Sequence, residues 1–193
     1  MRSFFLLILV FTFIGCASNV TNPNGAPVIS QSEYGNRIEN HTKRTEKYSG
    51  LMNTLHLSAT LINSQSAEAQ LLQKSRLYQW DQATFETEKE KAATDLNKMT
   101  QVFVSLYTPE RKHDDLHKSQ TLWKVFLDAN GRRWEGKATK IKLLTTEIQA
   151  LYPDHTRFAT PYIVTFPVPV TSIESQPIKL TLTGPVSSAA VEF

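Results

Sequence analysis

Apolar and polar positions alternate along much of the chain. Over Leu51–Ile62 the odd positions carry Leu51, Leu55, Leu57, Ala59 and Leu61, with Asn53 the exception. The even positions carry Thr54, His56, Ser58 and Thr60. A period of two predicts a half-buried strand. Leu51, Leu55 and Ala59, four apart, also fit a helix in part. The alternation recurs in Gln101–Tyr107, and Leu122–Asp128 reads as a further strand. Asp128-Ala129-Asn130-Gly131 then predicts a hairpin turn, because Asn-Gly accepts positive φ at low cost. Ile163, Val164 and Phe166 predict another strand, whose pairing Pro167 and Pro169 end. Ile178, Leu180 and Leu182 face away from Lys179, Thr181 and Thr183, and the segment after Gly184-Pro185 closes the hairpin.

Between the first two strands the pattern changes. Ser64–Met99 holds no Gly or Pro and is rich in Ala, Gln, Glu, Lys and Leu, which are good helix formers. It predicts a helix pair, or one helix broken at Trp80-Asp81. Ser64 or Ser66 is placed to cap the first helix and Asp81 the second, with Glu86 and Glu88 near its start. Phe85, Ala92, Leu96 and Met99 recur as a stripe for one buried helix face. About seven short strands with turns between them point to a mainly β protein, an antiparallel immunoglobulin-like β-sandwich with a helical insertion after the first strand. An α+β arrangement, with helices packed on an antiparallel sheet, is the alternative.

The N-terminal quarter reads differently. Residues 17–47 are rich in Asn, Thr, Ser, Gly and Pro, with sparse, aperiodic apolar positions. Such a stretch buries too little to offset its ordering entropy, so a flexible tether is expected. Ahead of it, Arg2 precedes the apolar run Phe4–Ile14, then Gly15 and the single Cys, Cys16. A membrane-spanning helix needs about 20 apolar residues, and this run is much shorter. A positive start, a short apolar run and a small residue are the parts of a secretory signal peptide. Phe13-Ile14-Gly15-Cys16 further resembles the lipobox of bacterial lipoproteins, although Phe13 stands where Leu is usual. The resemblance implies cleavage between Gly15 and Cys16, attachment of membrane lipid such as palmitate-bearing diacylglyceryl to the Cys16 thiol, and a lipid-anchored chain. Two or three acyl chains make a stable anchor where one does not. A plain signal peptide with an incidental Cys is the alternative. Ala17, where Asp would signal inner-membrane retention, implies the outer membrane. The expected organisation is therefore a signal peptide over 1–15, a lipidated N-terminus and tether over 16–47, and a folded region over 48–193.

Composition adds limits. The chain has 193 residues, 40% hydrophobic, with a net charge of +3 of which Arg2 supplies one. That balance lacks the basic footprint of a nucleic-acid binder. One Cys excludes an intramolecular disulfide and a multi-cysteine zinc site. The folded region also resembles a set of uncharacterised bacterial lipoproteins. The shared features are Tyr107-Thr108-Pro109, Asp115-Leu116, Leu122-Trp123, Tyr152-Pro153, Tyr162 to Pro167, and Leu180 to Gly184. These residues are structural in character, so the resemblance implies one folded unit and no reaction.

Candidate chemistry is sparse. His113, Asp114, Asp115 and His117 form the densest polar cluster, and imidazole with carboxylate suits zinc or iron. They fall within one polar loop, which equally reads as solvated. No G-x-S-x-G elbow, P-loop or dinucleotide fingerprint is present. Glu135, Glu147, Asp154 and Glu174 are dispersed. Among the aromatics Trp80, Trp123, Trp134, Tyr107, Tyr152 and Tyr162, Trp134 stands apart. Flanked by Arg132, Arg133 and Glu135, it is the candidate exposed anchor for a ligand. The expectation is a lipid-anchored envelope protein, a non-enzymatic binding or assembly component with a protein partner and no cofactor. A periplasmic glycan- or peptide-binding module using exposed aromatics, and a metal-dependent enzyme at the histidine cluster, are the alternatives.

Overall fold

The structure, a computed structural model, describes residues 20–193; Gly15 and Cys16 lie outside the described residues. In chain order the elements are α1 (Gln31–Asn40), β1 (Thr42–Ser49), β2 (Met52–Ile62), α2 (Ser64–Tyr78), α3 (Gln82–Leu96), β3 (Thr100–Tyr107), β4 (Lys124–Ala129), β5 (Arg132–Glu135), β6 (Lys137–Lys140), α4 (Thr145–Leu151), β7 (Thr160–Phe166), β8 (Lys179–Thr183) and β9 (Ser188–Glu192). All strand pairs are antiparallel. They form a five-stranded sheet ordered β1-β2-β3-β7-β6 and a four-stranded sheet ordered β5-β4-β8-β9. The protein is mainly antiparallel β, with four helices among the described residues.

The alternating positions do what their period demands. Leu55, Leu57, Ala59 and Leu61 of β2 join Val102, Val104 and Leu106 of β3 in the main core. Leu127, Leu180 and Leu182 meet them from the other sheet, and Trp123 is sealed among them. Asn130 and Gly131, at φ 53° and 70°, make the expected β4–β5 turn. β5 and β6 are separated only by Gly136, where the chain passes from the smaller sheet to the larger. Gly136 N–H still donates to Val125 O of β4 at 2.8 Å, while Lys137 already pairs with Thr165 of β7. A Cβ at Gly136 would stand 2.5 Å from the Phe166 ring and 2.5 Å from Val164 Cγ1. At the opposite margin β1 lies against β9.

The helices form a third layer on the outer face of the larger sheet. Ile148 and Leu151 of α4 pack on Phe103 of β3, and α2 contacts α1, α3, α4 and β2. The insertion thus packs on the sandwich, and it follows the second strand instead of the first. The predicted cap of α2 is also corrected. Asn63 holds the N-cap, its Oδ1 accepting from Ser66 N at 3.0 Å while Ser66 Oγ accepts from Asn63 N at 2.9 Å. Asp81 caps α3 as expected, accepting from Thr84 N at 2.8 Å. α4 answers to no predicted element.

The tether expectation fails over 20–47. Tyr34 and Ile38, one helical turn apart, bury completely or nearly so with Ile29 and Ala69 of α2. The Tyr34 hydroxyl donates to Leu151 O, and β1 pairs with β2 along its whole length. Asn22, itself buried, organises the chain ahead of α1. Its Oδ1 accepts from Asn24 N (2.9 Å) and Ala26 N (3.1 Å), and its Nδ2 donates to Trp80 O (2.8 Å) and Ser75 O (3.4 Å). A few well-placed apolar and amide side chains thus secure a segment whose average composition is polar.

Gly136→Ala forces a methyl group against Phe166 and Val164, and overpacking of this kind costs about 1–3 kcal/mol. Urea unfolding of the variant is expected to show a lower midpoint and an unfolding free energy reduced by that amount; an unchanged midpoint would mean that the corner tolerates a side chain.

Candidate functional site

Helix α2 presents Ala67, Gln70, Leu71 and Lys74 at the i, i+3, i+4, i+7 spacing of a single helical face. The chain then leaves α2 through Gln79, in the left-handed region at φ 49°, and turns at Trp80 into α3. Of the fifteen residues of α3 only Phe85 is buried, packed with Leu71 and Ala26. Its C-terminal half stands off the sheet, and the gap is a cleft of about 470 Å³. Its apolar walls include Ile62, Leu71, Ala92, Leu96, Met99 and Ile163, and Tyr152 lies at its base.

Two donors face this cleft without an acceptor. Gln70 is 6% exposed, and its Nε2 has no hydrogen-bond partner. Leaving a buried donor unpaired costs about 1–3 kcal/mol, which an incoming acceptor would offset. Lys74, one turn further along, makes no ion pair among the described residues; the neighbouring Glu88 is held instead by Lys91 at 2.5 Å. Burial depresses the Lys74 ammonium below its ordinary value, with the Glu88 charge opposing. Burial likewise pushes the Tyr152 phenol up to about 12, against the nearby Gln70 amide. The cleft therefore joins apolar walls to a small number of convergent donors, the composition of a ligand site.

The Tyr152 ring stacks face to face on Phe103, centroids 3.6 Å apart, and His155 meets Phe103 edge-on at 6.1 Å. His155 is 2% exposed. Its Nδ1 lies 2.9 Å from Ser105 Oγ, and its carbonyl accepts from Gln149 Nε2 at 2.8 Å.

The residues singled out by sequence lie elsewhere. Asp114 accepts from Thr108 Oγ1 (3.1 Å) and Thr160 Oγ1 (2.8 Å), and Asp115 from Thr121 Oγ1 (2.9 Å). Both carboxylates thus fasten the loop to the strands, and Asp115 and Leu116 are buried in a segment expected to be solvated. His113 ends a 3₁₀ turn, with its carbonyl accepting from Trp123 Nε1 at 2.7 Å. His117 is exposed, its ring tilted 5.9 Å from that of Tyr162. Among the described residues no three His, Cys, Asp or Glu side chains converge as a metal-binding group, so His113, Asp114, Asp115 and His117 are not gathered into a ligand set. Trp134 is partly buried and packs on the main core. Gln70 and Lys74 share one face of α2 with Ala67 and Leu71, a spacing that sequence alone does not distinguish from a solvent-facing pair.

Among the described residues no helix is long and apolar enough to cross a membrane. Comparison with protein-family models, with curated proteins and with solved structures finds no match for this chain.

Burial lowers the His155 pKa from its ordinary 6.5, and burial is the leading cause at His41 as well. A histidine held neutral in the fold contributes stability that is fully present above the unfolded value and lost as pH falls toward the folded one. The urea midpoint is expected to hold above pH 6.5 and to decline toward pH 5.5. His155→Gln is expected to flatten that decline partially, His41 supplying the remainder; a slope equal to wild type would dismiss the assignment.

Proposed function

We propose that the protein is a lipid-anchored component of a bacterial cell envelope, held by Cys16, and that its folded body is a non-enzymatic binding protein using the α2–α3 cleft. The carrying observation is the pair of unpartnered donors on α2, Gln70 Nε2 and the Lys74 ammonium, beside the apolar walls of the cleft, with Glu88, Lys91 and Asp95 along its α3 rim. Groups left unpaired in the free protein are groups that a ligand can pair. The anchor reading rests on the leader, where Arg2, Phe4–Ile14 and Phe13-Ile14-Gly15-Cys16 supply the parts of a lipoprotein signal. Ala17 supports placement at the outer membrane. In fold, we liken the two packed sheets to an immunoglobulin-like sandwich in their layering. The adjacency of β1, β2 and β3 departs from the A-B-E-D and C-F-G order of that family.

Metabolic labelling with tritiated palmitate tests the anchor. The wild-type chain is expected to take up label, and globomycin to accumulate its uncut precursor. Cys16→Ala is expected to remain unlabelled and uncut. A Cys16→Ala chain maturing like wild type would remove the anchor from the proposal.

A further inference from the structure

We infer that the α2–α3 cleft takes a single-chain amphiphile with a carboxylate head, its two oxygens received by Gln70 Nε2 and Lys74 Nζ and its aliphatic body lying along the apolar walls. The inference rests on the binding reading above and gives it a ligand class. The head assignment follows from the donors. Gln70 offers a buried, unpartnered amide N–H, and Lys74 lies at i+4, so that both side chains rise from one face of α2. Two donors of this kind, one of them cationic, match two oxygens sharing one negative charge.

The charges on the facing helix do not reverse this. Lys91 and Asp95 stand at exposed positions, and the half-buried Glu88 is engaged by Lys91. Lys74 is thus the charge set deepest against the apolar wall. A cationic head would meet repulsion from Lys74 and the Gln70 N–H on α2, and the carboxylates open to it, Glu88 and Asp95, lie on the facing helix. A neutral alcohol would satisfy Gln70 at most. The body assignment follows from Leu71, Leu96, Ile141 and Ile163, which line the cleft without hydrogen-bonding groups in their side chains. At about 470 Å³ the space lies in the lower half of the ordinary range for small-ligand sites, which suits one aliphatic chain better than two.

The test uses the full chain in membrane vesicles, photolabelled with three diazirine-bearing dodecyl probes: a carboxylate, an alcohol and a trimethylammonium. Labelled peptides are mapped by mass spectrometry. The carboxylate probe is expected to label peptides spanning 64–99, and excess unlabelled dodecanoate to compete that labelling away. Lys74→Met, which keeps the length of the side chain, is expected to cut carboxylate labelling at least fivefold and to leave alcohol labelling unchanged. Gln70→Leu is expected to weaken both. Ala92→Trp, which fills the cleft, is expected to abolish labelling by every probe. Equal labelling by carboxylate and trimethylammonium, or an unaltered Lys74→Met, overturns the head-group assignment and leaves the binding reading standing. Labelling of 64–99 by none of the probes, or labelling that survives Ala92→Trp, overturns the cleft as a binding site.

Discussion

Strands β2 and β3 bury side chains on both faces over most of their length, and this requirement shapes the layers around them. One face is covered by the smaller sheet, with Leu, Val and aromatic side chains meeting across the sandwich. The other face carries Ser58, Thr60 and Ser105, together with Phe103, and must lie beneath helices without stranding its hydroxyls. Thr42 Oγ1 donates to Ile38 O at 2.9 Å and accepts from Thr60 Oγ1 at 2.8 Å. Ser58 bonds Asp154 at 3.3 Å, and Ser105 bonds His155 at 2.9 Å. Each buried hydroxyl is matched to a particular neighbour, so the helical layer sits in one register on the sheet.

The two sides of that sheet are built with different rigidity. On the sandwich side the chain itself joins the sheets through Gly136, and the packing around the bend leaves no room for a methyl group. On the helix side α1, α2 and α4 share buried contacts, whereas α3 is held by Phe85, by its cap, by the bend at Trp80 and by half-buried Leu96 at its C-terminal end. A helix with one buried side chain belongs to the less stable part of a fold. The cleft exists because α3 does not close on the sheet, and the element framing it is also the one freest to adjust to what enters.

How much of this was legible follows from the same chemistry. The period-two segments were read correctly as strands because their core-facing positions are large and apolar. Their opposite positions are small hydroxyls, which look identical whether they meet water or a helix. The helix layer was therefore visible as helices, and its role as a cover stood only as the α+β alternative. The segment over 20–47 was misread because its composition is polar on average, while its order depends on Asn22, Tyr34, Ile38 and the pairing of β1. The histidine–aspartate loop drew attention by density, yet Asp114 latches it to Thr160, distant in sequence, and Asp115 closes it locally on Thr121. Gln70 and Lys74 look like ordinary solvent-facing residues of an Ala- and Gln-rich helix until α3 and the sheet are placed beside them.

The Asn22 knot has a mechanical meaning. Tension applied to the backbone ahead of Val20 meets the Val28 N–H to Val20 O bond at 2.9 Å and then the small loop closed by the Asn22 carboxamide. From there it passes through Nδ2 to the carbonyls of Ser75 and Trp80, at the joint between α2 and α3. Sheet registers and the sandwich core lie further along the force path. A pull from the N-terminal side would thus be felt at the hinge of the cleft before it reached the strands of the sandwich.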